Sequence, residues 1–390
     1  MSNSEIKIQF FIYNIGDYHV ARIQSLIDKF HGSVNQIQII EIFSKSKFYQ
    51  HTQNRREDLL NKYPDIITFF DIQTNQAEPS PTKILYHIVS NLFRYRPNLV
   101  ITLGYDTFLS NLLLILSKII GAKIILLSES KQDDLPRSKF KESLKKLIVS
   151  LYNAALVGGE RHINYIASLG IPRNLILKGY DVVDNKYFFD KSEIAQKNIP
   201  ELRLKYNLPE NYILCVSRLV KRKNLTTLLN VFAKLNSSTY KLVIIGYGPE
   251  KDNLLKQCTE LNICDKVMFI ENVSNQDIYI YYTLASFFVL LSFSEQWGLS
   301  VNESLACGTP VIVSRSCGCV DEIVIDGYNG YVVDPYEIND IERAFISLID
   351  SPSKRKYFSN NSRSVISKYG PSLFADNIEA LSKQIMQITS

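Results

Sequence analysis

The chain has 390 residues, 46% of them hydrophobic and 21% charged, which is ordinary for a globular enzyme and enough for one to three domains with a large core. The formal net charge of +5 is too weak to argue for nucleic acid, and no Lys/Arg-rich block interleaved with aromatics supports that class either. All six cysteines lie in the second half. Cys317-Gly-Cys319 has no partner set of His or Cys at metal-ligand spacing, so no metal centre is expected.

Met1–Glu5 runs straight into a strand with no charged, apolar and cleavage-site succession, so a reduced, cytoplasmic setting is expected. The first half then alternates. Ile6–Tyr13 reads as a strand, Val20–Phe30 as a helix and Gln36–Phe43 as a strand. Pro81–Phe93 reads as a helix, Leu99–Leu103 as a strand and Asp106–Ile120 as a helix. The strands Lys123–Ser128 and Ala154–Val157 flank a basic helix, Arg137–Tyr152. Alternating strands and helices predict a doubly wound parallel sheet. The apolar run Leu109–Ser128 holds Asn111, Lys118, Gly121 and Lys123, and Ile278–Phe293 has only 16 residues, so neither is expected to span a membrane.

The polar stretch Tyr187–Arg203 interrupts the alternation and contains Pro200, which suits a linker. The second half restarts it: strand Tyr212–Val216, helix Leu225–Leu235, strand Lys241–Ile245, helix Pro249–Leu261, then strands Val267–Ile270, Phe287–Leu291 and Val311–Ser314. The expected division is residues 1–190, a linker at 191–203, residues 204–370, and a final helix, 371–390, returning to the first domain. Ligands of such sheets bind beyond the carboxyl ends of the strands, which makes the cleft between two facing halves the default site.

The second half carries the sharpest constellation. Glu295 follows the run ending Val289-Leu290-Leu291, and Glu303 stands eight residues later. Fully helical, that separation spans about 12 Å, roughly the reach from the sugar of a sugar nucleotide to its ribose. Carboxylates accept hydrogen bonds from the vicinal hydroxyls of both rings. The backbone N–H groups near Gly298 and Leu299 open a helix and suit an anion. Taken alone, the same spacing also fits two surface glutamates on a helix. Arg218 and Lys223 follow the strand Tyr212–Val216; as fixed cations they would stabilise a leaving diphosphate, while a solvated basic loop is the plain alternative.

With those residues in view, Leu291–Pro335 resembles the nucleotide-sugar site of the large retaining glycosyltransferase family often called family 4. The matching residues are Glu295, Gly298-Leu299, Glu303, Cys307-Gly308-Thr309-Pro310-Val311-Ile312, Gly318, Glu322-Ile323-Val324 and Asp326-Gly327-Tyr328-Asn329-Gly330. The resemblance implies the GT-B fold, two Rossmann-like domains facing an inter-domain cleft. It implies transfer of a sugar, with retention, from a nucleoside-diphosphate sugar to a hydroxyl acceptor, be it a glycan, a lipid-linked acceptor or a small molecule. Arg218 and Lys223 then meet the diphosphate and Glu295 the sugar hydroxyls. Glu303 takes the ribose, and backbone amides around Trp297, Gly298 and Leu299 help fix the donor. Metal and cofactor are not expected, and the chain has no Asp-x-Asp triplet.

The first domain departs from the family pattern. Where the family often has a Gly-Gly loop, Asn14–His19 keeps one glycine, Gly16, with His19 as an acceptor-side candidate. Where many members carry a histidine, Ser128-Glu129-Ser130 offers Glu129. His162, at the start of another helix, reads as a capping or surface residue. Two other readings stay open: a catalytically silent GT-B carbohydrate-binding or scaffold protein, and a same-fold sugar-nucleotide epimerase. The basic helix 137–152 combines cations with apolar positions, which fits either peripheral contact with an anionic membrane or an ordinary amphipathic surface helix.

Overall fold

A computed structural model describes residues 6–31, 36–44, 54–71, 79–134, 137–235 and 239–387. Met1–Glu5 and residues 388–390, used in the sequence reading, lie outside them. The chain divides into two compact units: Met1–Gln132, Pro136–Val182 and Pro371–Ser390 form the first, and Asp133–Leu135 and Val183–Gly370 the second.

The first unit runs β1 (Lys7–Ile12), α1 (Asp17–Phe30), β2 (Gln36–Phe43), α2 (Asn54–Lys62), β3 (Ile67–Phe70), α3 (Pro81–Tyr95), β4 (Leu99–Leu103), α4 (Phe108–Ile119), β5 (Lys123–Ser128), α5 (Lys139–Val149), β6 (Ala154–Val157), α6 (Glu160–Ser168) and β7 (Ile176–Lys178). Its sheet has seven strands in the order β3-β2-β1-β4-β5-β6-β7, each neighbouring pair parallel. Phe10 of β1 lies opposite Ile39 of β2 on one side and Ile101 of β4 on the other. These strands read as continuous apolar runs because both faces are covered. On one face Ile88, Leu92, Leu113, Leu114, Val149 and Ile166, from α3 to α6, close over Ile40, Val100, Ile124 and Leu126.

The second unit runs α7 (Asn185–Gln196), α8 (Ile199–Tyr206), β8 (Tyr212–Val216), α9 (Leu225–Lys234), β9 (Lys241–Ile245), α10 (Lys251–Glu260), β10 (Val267–Ile270), α11 (Ile278–Leu284), β11 (Phe287–Leu290), α12 (Leu299–Ala306), β12 (Val311–Ser314), β13 (Gly330–Val333), α13 (Ile338–Asp350) and α14 (Pro352–Ile366). Its six strands are ordered β10-β9-β8-β11-β12-β13, again all parallel. The last helix, α15 (Pro371–Gln387), packs on α1 in the first unit. Among the described residues no helix is long and apolar enough to cross a membrane.

Two expectations need correction. Residues 191–203 are not a linker: α7 and α8 fill them, and the division falls at Val182–Val183. Phe188, Ser192 and Ala195 are the buried positions of α7, a helical period hidden because two of its three members are small. Glu322-Ile323-Val324, which the family resemblance implies is a strand, is instead a turn, closed by the bridge of Val320 with Val324. The sequence reading also passed over α2 and β3, which are short and flanked by polar residues.

Two glycines fix the carboxyl end of the second sheet. Gly246 and Gly248, after β9, have φ of +145° and +157°, and a Cβ would fall 2.0 Å from the Ser217 carbonyl oxygen and 2.4 Å from that of Leu219. The β9 turn thus lies directly on the backbone that carries Arg218, sealed by Leu219 N–H donating to Tyr247 O at 2.9 Å. Gly246→Ala is expected to cost more than about 3 kcal/mol in chemical denaturation, because rigid backbone must move. Gly327→Ala, with φ +70° and open space around it, is expected to cost only about 1–2 kcal/mol. Equal losses would contradict this packing.

Candidate functional site

The second unit builds its site where β8 and the adjacent β11 end. After β8 the chain passes Ser217, exposed Arg218 and buried Leu219, then tightens into a 3-10 turn at Lys221–Lys223. Asn224, in the left-handed region at φ 56°, opens α9, and its side-chain amide donates to Pro335 O at 3.0 Å. These fixed points turn Lys223 inward, to 9% exposure.

The loop after β11 meets it. Phe293 N–H donates to Arg222 O at 2.8 Å. Lys223 Nζ forms an ion pair with Glu295 Oε2, and Ser292 Oγ donates to the same oxygen at 3.2 Å. Ser292 is itself held by Ser314 Oγ, which donates to its carbonyl at 2.6 Å. The Glu295 carbonyl accepts from Gly318 N–H at 3.1 Å. The carboxylate is therefore positioned from β11, β12 and the turn after β12 together. The sequence reading assigned Lys223 and Glu295 to different parts of a ligand; here they hold each other. Taking two charges out of water is costly unless each neutralises the other, so the pair is the resting arrangement of these two loops. Arg218, on the same loop, keeps its guanidinium exposed.

Glu303 lies on α12, 5% exposed, and its Oε2 accepts the Tyr282 hydroxyl at 2.7 Å. The carboxylate expected to serve hydroxyls is thus already fixed by one, which sets its orientation. Trp297 is held through its side chain. Its ring is 2% exposed in the core, and its Nε1–H donates to Asn302 Oδ1 at 2.8 Å. Only its backbone faces the role assigned to it, because the large indole is needed to anchor the loop to α12. Gly298, at φ +109°, turns the chain into α12. Leu299 and Ser300 then present the first N–H groups of that helix, which by position have no intrahelical acceptor.

Gly16, His19 and Glu129 belong to the first unit. Gly16 caps α1, its N–H donating to His19 Nδ1 at 3.1 Å. Gly159 and His162 repeat the arrangement on α6, at 3.2 Å. Both histidines therefore act as local caps, and an acceptor Nδ1 puts the His19 proton on Nε2. Burial, then the charge of Arg22, pushes His19 down to about 3. Glu129, half-buried after β5, is drawn into a cluster the sequence reading missed. Burial, then the charge of Glu129, holds the Asp181 carboxyl well above its usual range, partly offset by Arg22. Arg22 lies 3.9 Å from Asp181, donates through Nε to Val182 O at 3.0 Å and covers the Tyr180 ring at 4.7 Å. Gly179-Tyr180-Asp181 carried a signal, an acid beside an aromatic at a strand end. The partner Arg22 is 159 positions away in sequence from Asp181.

Residues 198–365 match the family model described as glycosyl transferases group 1. Over 128 residues, 32% of this chain and 29% of the relative, the chain is 39% identical to an alpha-monoglucosyldiacylglycerol synthase of Streptococcus pneumoniae. Over 174 residues, 45% of this chain and 46% of the relative, it is 30% identical to an N-acetylgalactosamine-N,N'-diacetylbacillosaminyl-diphospho-undecaprenol 4-alpha-N-acetylgalactosaminyltransferase of Campylobacter jejuni. These matches span less than half the length of either relative. Among solved structures, a sucrose-phosphate synthase of Thermosynechococcus elongatus aligns at TM-score 0.75 and 17% identity, covering 98% of this chain and 100% of that one. The Anabaena protein HepE, in complex with UDP-glucose, aligns at 0.74 and 16%, covering 97% and 100%. At these identities the likeness shows the fold, which is GT-B with two Rossmann-like parallel-sheet domains.

The His19 geometry yields a pH test. Its folded pKa lies below the ordinary 6.5, so its contribution to stability is present above that value and is lost as pH falls toward 3. His19→Gln keeps an acceptor for the Gly16 N–H and removes the titration. The thermal midpoint of the variant is expected to fall less than that of the parent between pH 7 and 4; identical slopes would contradict it.

Proposed function

For a chain whose residues 198–365 match the glycosyl transferases group 1 family model, we propose an enzyme that moves a sugar from a nucleoside-diphosphate sugar to a hydroxyl acceptor, with retention and without a metal. The observation that supports it most is the ion pair of Lys223 with Glu295 at the ends of adjacent strands, beside the exposed Arg218 and the opening of α12. It stores a cation and an acceptor side by side. A diphosphate arriving at Lys223 competes for the ammonium, and the Glu295 carboxylate is released to accept hydrogen bonds from the sugar hydroxyls of the same donor.

In the proposed reaction the bond from C1 of the sugar to the diphosphate oxygen breaks, and its electron pair leaves with the phosphate. Arg218 and Lys223 stabilise that growing charge, aided by the N–H groups of Leu299 and Ser300. The acceptor oxygen bonds to C1 on the face the diphosphate leaves, and its proton passes to the departing phosphate oxygen. No protein nucleophile is required. Glu303, oriented by Tyr282, takes the ribose hydroxyls. Following the resemblance, Gly16 is assigned to donor binding, and His19 and Glu129 to the acceptor side. HepE, whose fold this chain shares, is known in complex with UDP-glucose, which supports a nucleotide-sugar donor. A cytoplasmic setting is part of the proposal and agrees with six free cysteines.

Turnover of UDP-, GDP- and ADP-sugars against a panel of acceptors tests the reading, with the anomeric configuration of the product followed by NMR. Activity is expected to survive excess EDTA and to give retained product. Lys223→Ala and Arg218→Ala are each expected to lower kcat by about 10²-fold or more. Glu303→Ala is expected to weaken donor binding by at least about tenfold in calorimetry. Donor affinity unchanged in Glu303→Ala, or an inverted product, would overturn the assignments.

A further inference from the structure

The outer surface of the first unit's helical layer is built unlike a water-facing one. Helix α4 already buries Ser110, Leu113, Leu114 and Ser117 against the sheet. A surface helix should then be polar on its other side. Instead Phe108, Ile115 and Ile119 stand 69%, 57% and 67% exposed, and Lys118 is the one charged residue of the helix. Together with half-buried Leu112 they follow the spacing i, i+4, i+7, i+11, one straight stripe. Helix α5 repeats that spacing outward: Phe140, Leu144 and Leu147, continued by Leu151, are 81%, 51%, 64% and 46% exposed. Tyr86 and Phe93 of α3, at i and i+7, are also exposed, and α3 belongs to the same layer. Single exposed apolar residues are common; matched stripes on neighbouring helices of one layer are the mark of a covered surface.

Charge selects the cover. Residues 81–152 contain eleven Lys and Arg against five Asp and Glu, while the whole chain is only +5, so the net positive charge of the protein resides in this span. The one acid of α5, Glu142, is held by Arg137 and Lys145. Lys139, Lys141 and Lys146 stay exposed beside the Phe140 stripe, with no acidic partner recorded among the described residues. Burial, then the charge of nearby Lys123, lowers the Lys118 ammonium below its usual range. At the ends of α3 and α4, a cavity of about 610 Å³ has both apolar walls, Phe93 and Ile119, and cationic ones, Arg96 and Lys123.

We propose that this α3–α5 face is a docking surface for an anionic lipid bilayer, with the apolar stripes entering the headgroup boundary and the lysines pairing with lipid phosphates. A second copy of the chain is the less suited occupant, since two such faces would bring like charges together. The proposal does not rest on the transferase reading, because docking is measured without turnover.

Co-sedimentation of the full chain with vesicles tests it. Binding is expected to phosphatidylcholine vesicles containing about one-third phosphatidylglycerol, and little to phosphatidylcholine alone. High salt should weaken it. The triple variant Lys139→Gln, Lys141→Gln, Lys146→Gln is expected to lower partitioning by about a hundredfold. Phe140→Ser with Leu144→Ser, and separately Ile115→Ser with Ile119→Ser, should each lower it by tenfold or more. Leu204→Ser, at an 86% exposed site in the second unit, should change nothing. Because the altered side chains are exposed, thermal midpoints should hold in every variant. Failure to sediment with anionic vesicles would overturn the proposal, and so would equal binding by the stripe variants. A dimer in light scattering that the stripe variants dissolve, without vesicle binding, would replace it with self-association.

Discussion

The ion pair between Lys223 and Glu295 is the constraint around which the second unit is arranged. The two side chains come from loops after β8 and β11, strands that are neighbours in the sheet though far apart in sequence. Each partner is fixed from behind. Lys223 is set by a 3-10 turn and a left-handed Asn224, and Glu295 by Ser292, Ser314 and the Gly318 backbone. A charge pair at about one-tenth exposure is costly to separate in water, yet a ligand that offers an anion to one partner and hydroxyls to the other replaces both interactions at once. On the proposed reading, this exchange would let the resting protein receive a sugar phosphate without leaving a bare charge at the ends of β8 and β11.

The same logic of fixed backbone runs through the sheet ends. Gly246 and Gly248 let the β9 turn rest on the Ser217–Leu219 backbone, so the Arg218 loop has a floor. Trp297, buried and bonded to Asn302, anchors the turn into α12 and keeps its first N–H groups in place. In the first unit, two Gly–His caps and the Arg22–Asp181–Glu129 cluster serve a comparable purpose at the ends of β1, β5, β6 and β7. There the polar groups are locked into one another, and the neutral state of His19 follows from its burial beside a cation.

Much of this was legible in the sequence, for identifiable reasons. Parallel strands covered on both faces read as continuous apolar runs, so β1, β4, β8 and β11 stood out. Spacing singled out Arg218, Lys223, Glu295 and Glu303, and the structure brings Lys223 and Glu295 together. The contacts were not legible, because they depend on strand order: β8 lies beside β11 only once the chain has doubled back. Arg22 and Asp181 meet for the same kind of reason. Helix α7 was mistaken for a linker because small Ser192 and Ala195 occupy its buried positions. The outward apolar stripe of α4 was not legible, since a one-dimensional pattern does not separate an inward apolar face from an outward one.

The most direct measurement of the central claim is the calorimetric affinity of UDP, GDP and ADP, without any sugar, for the parent protein and for Glu295→Gln. If Lys223 is held in reserve by Glu295, neutralising the carboxylate frees the ammonium, and the preferred nucleotide binds the variant more tightly than the parent. Equal or weaker binding by Glu295→Gln, in a variant of unchanged thermal stability, would contradict the exchange on which the account depends.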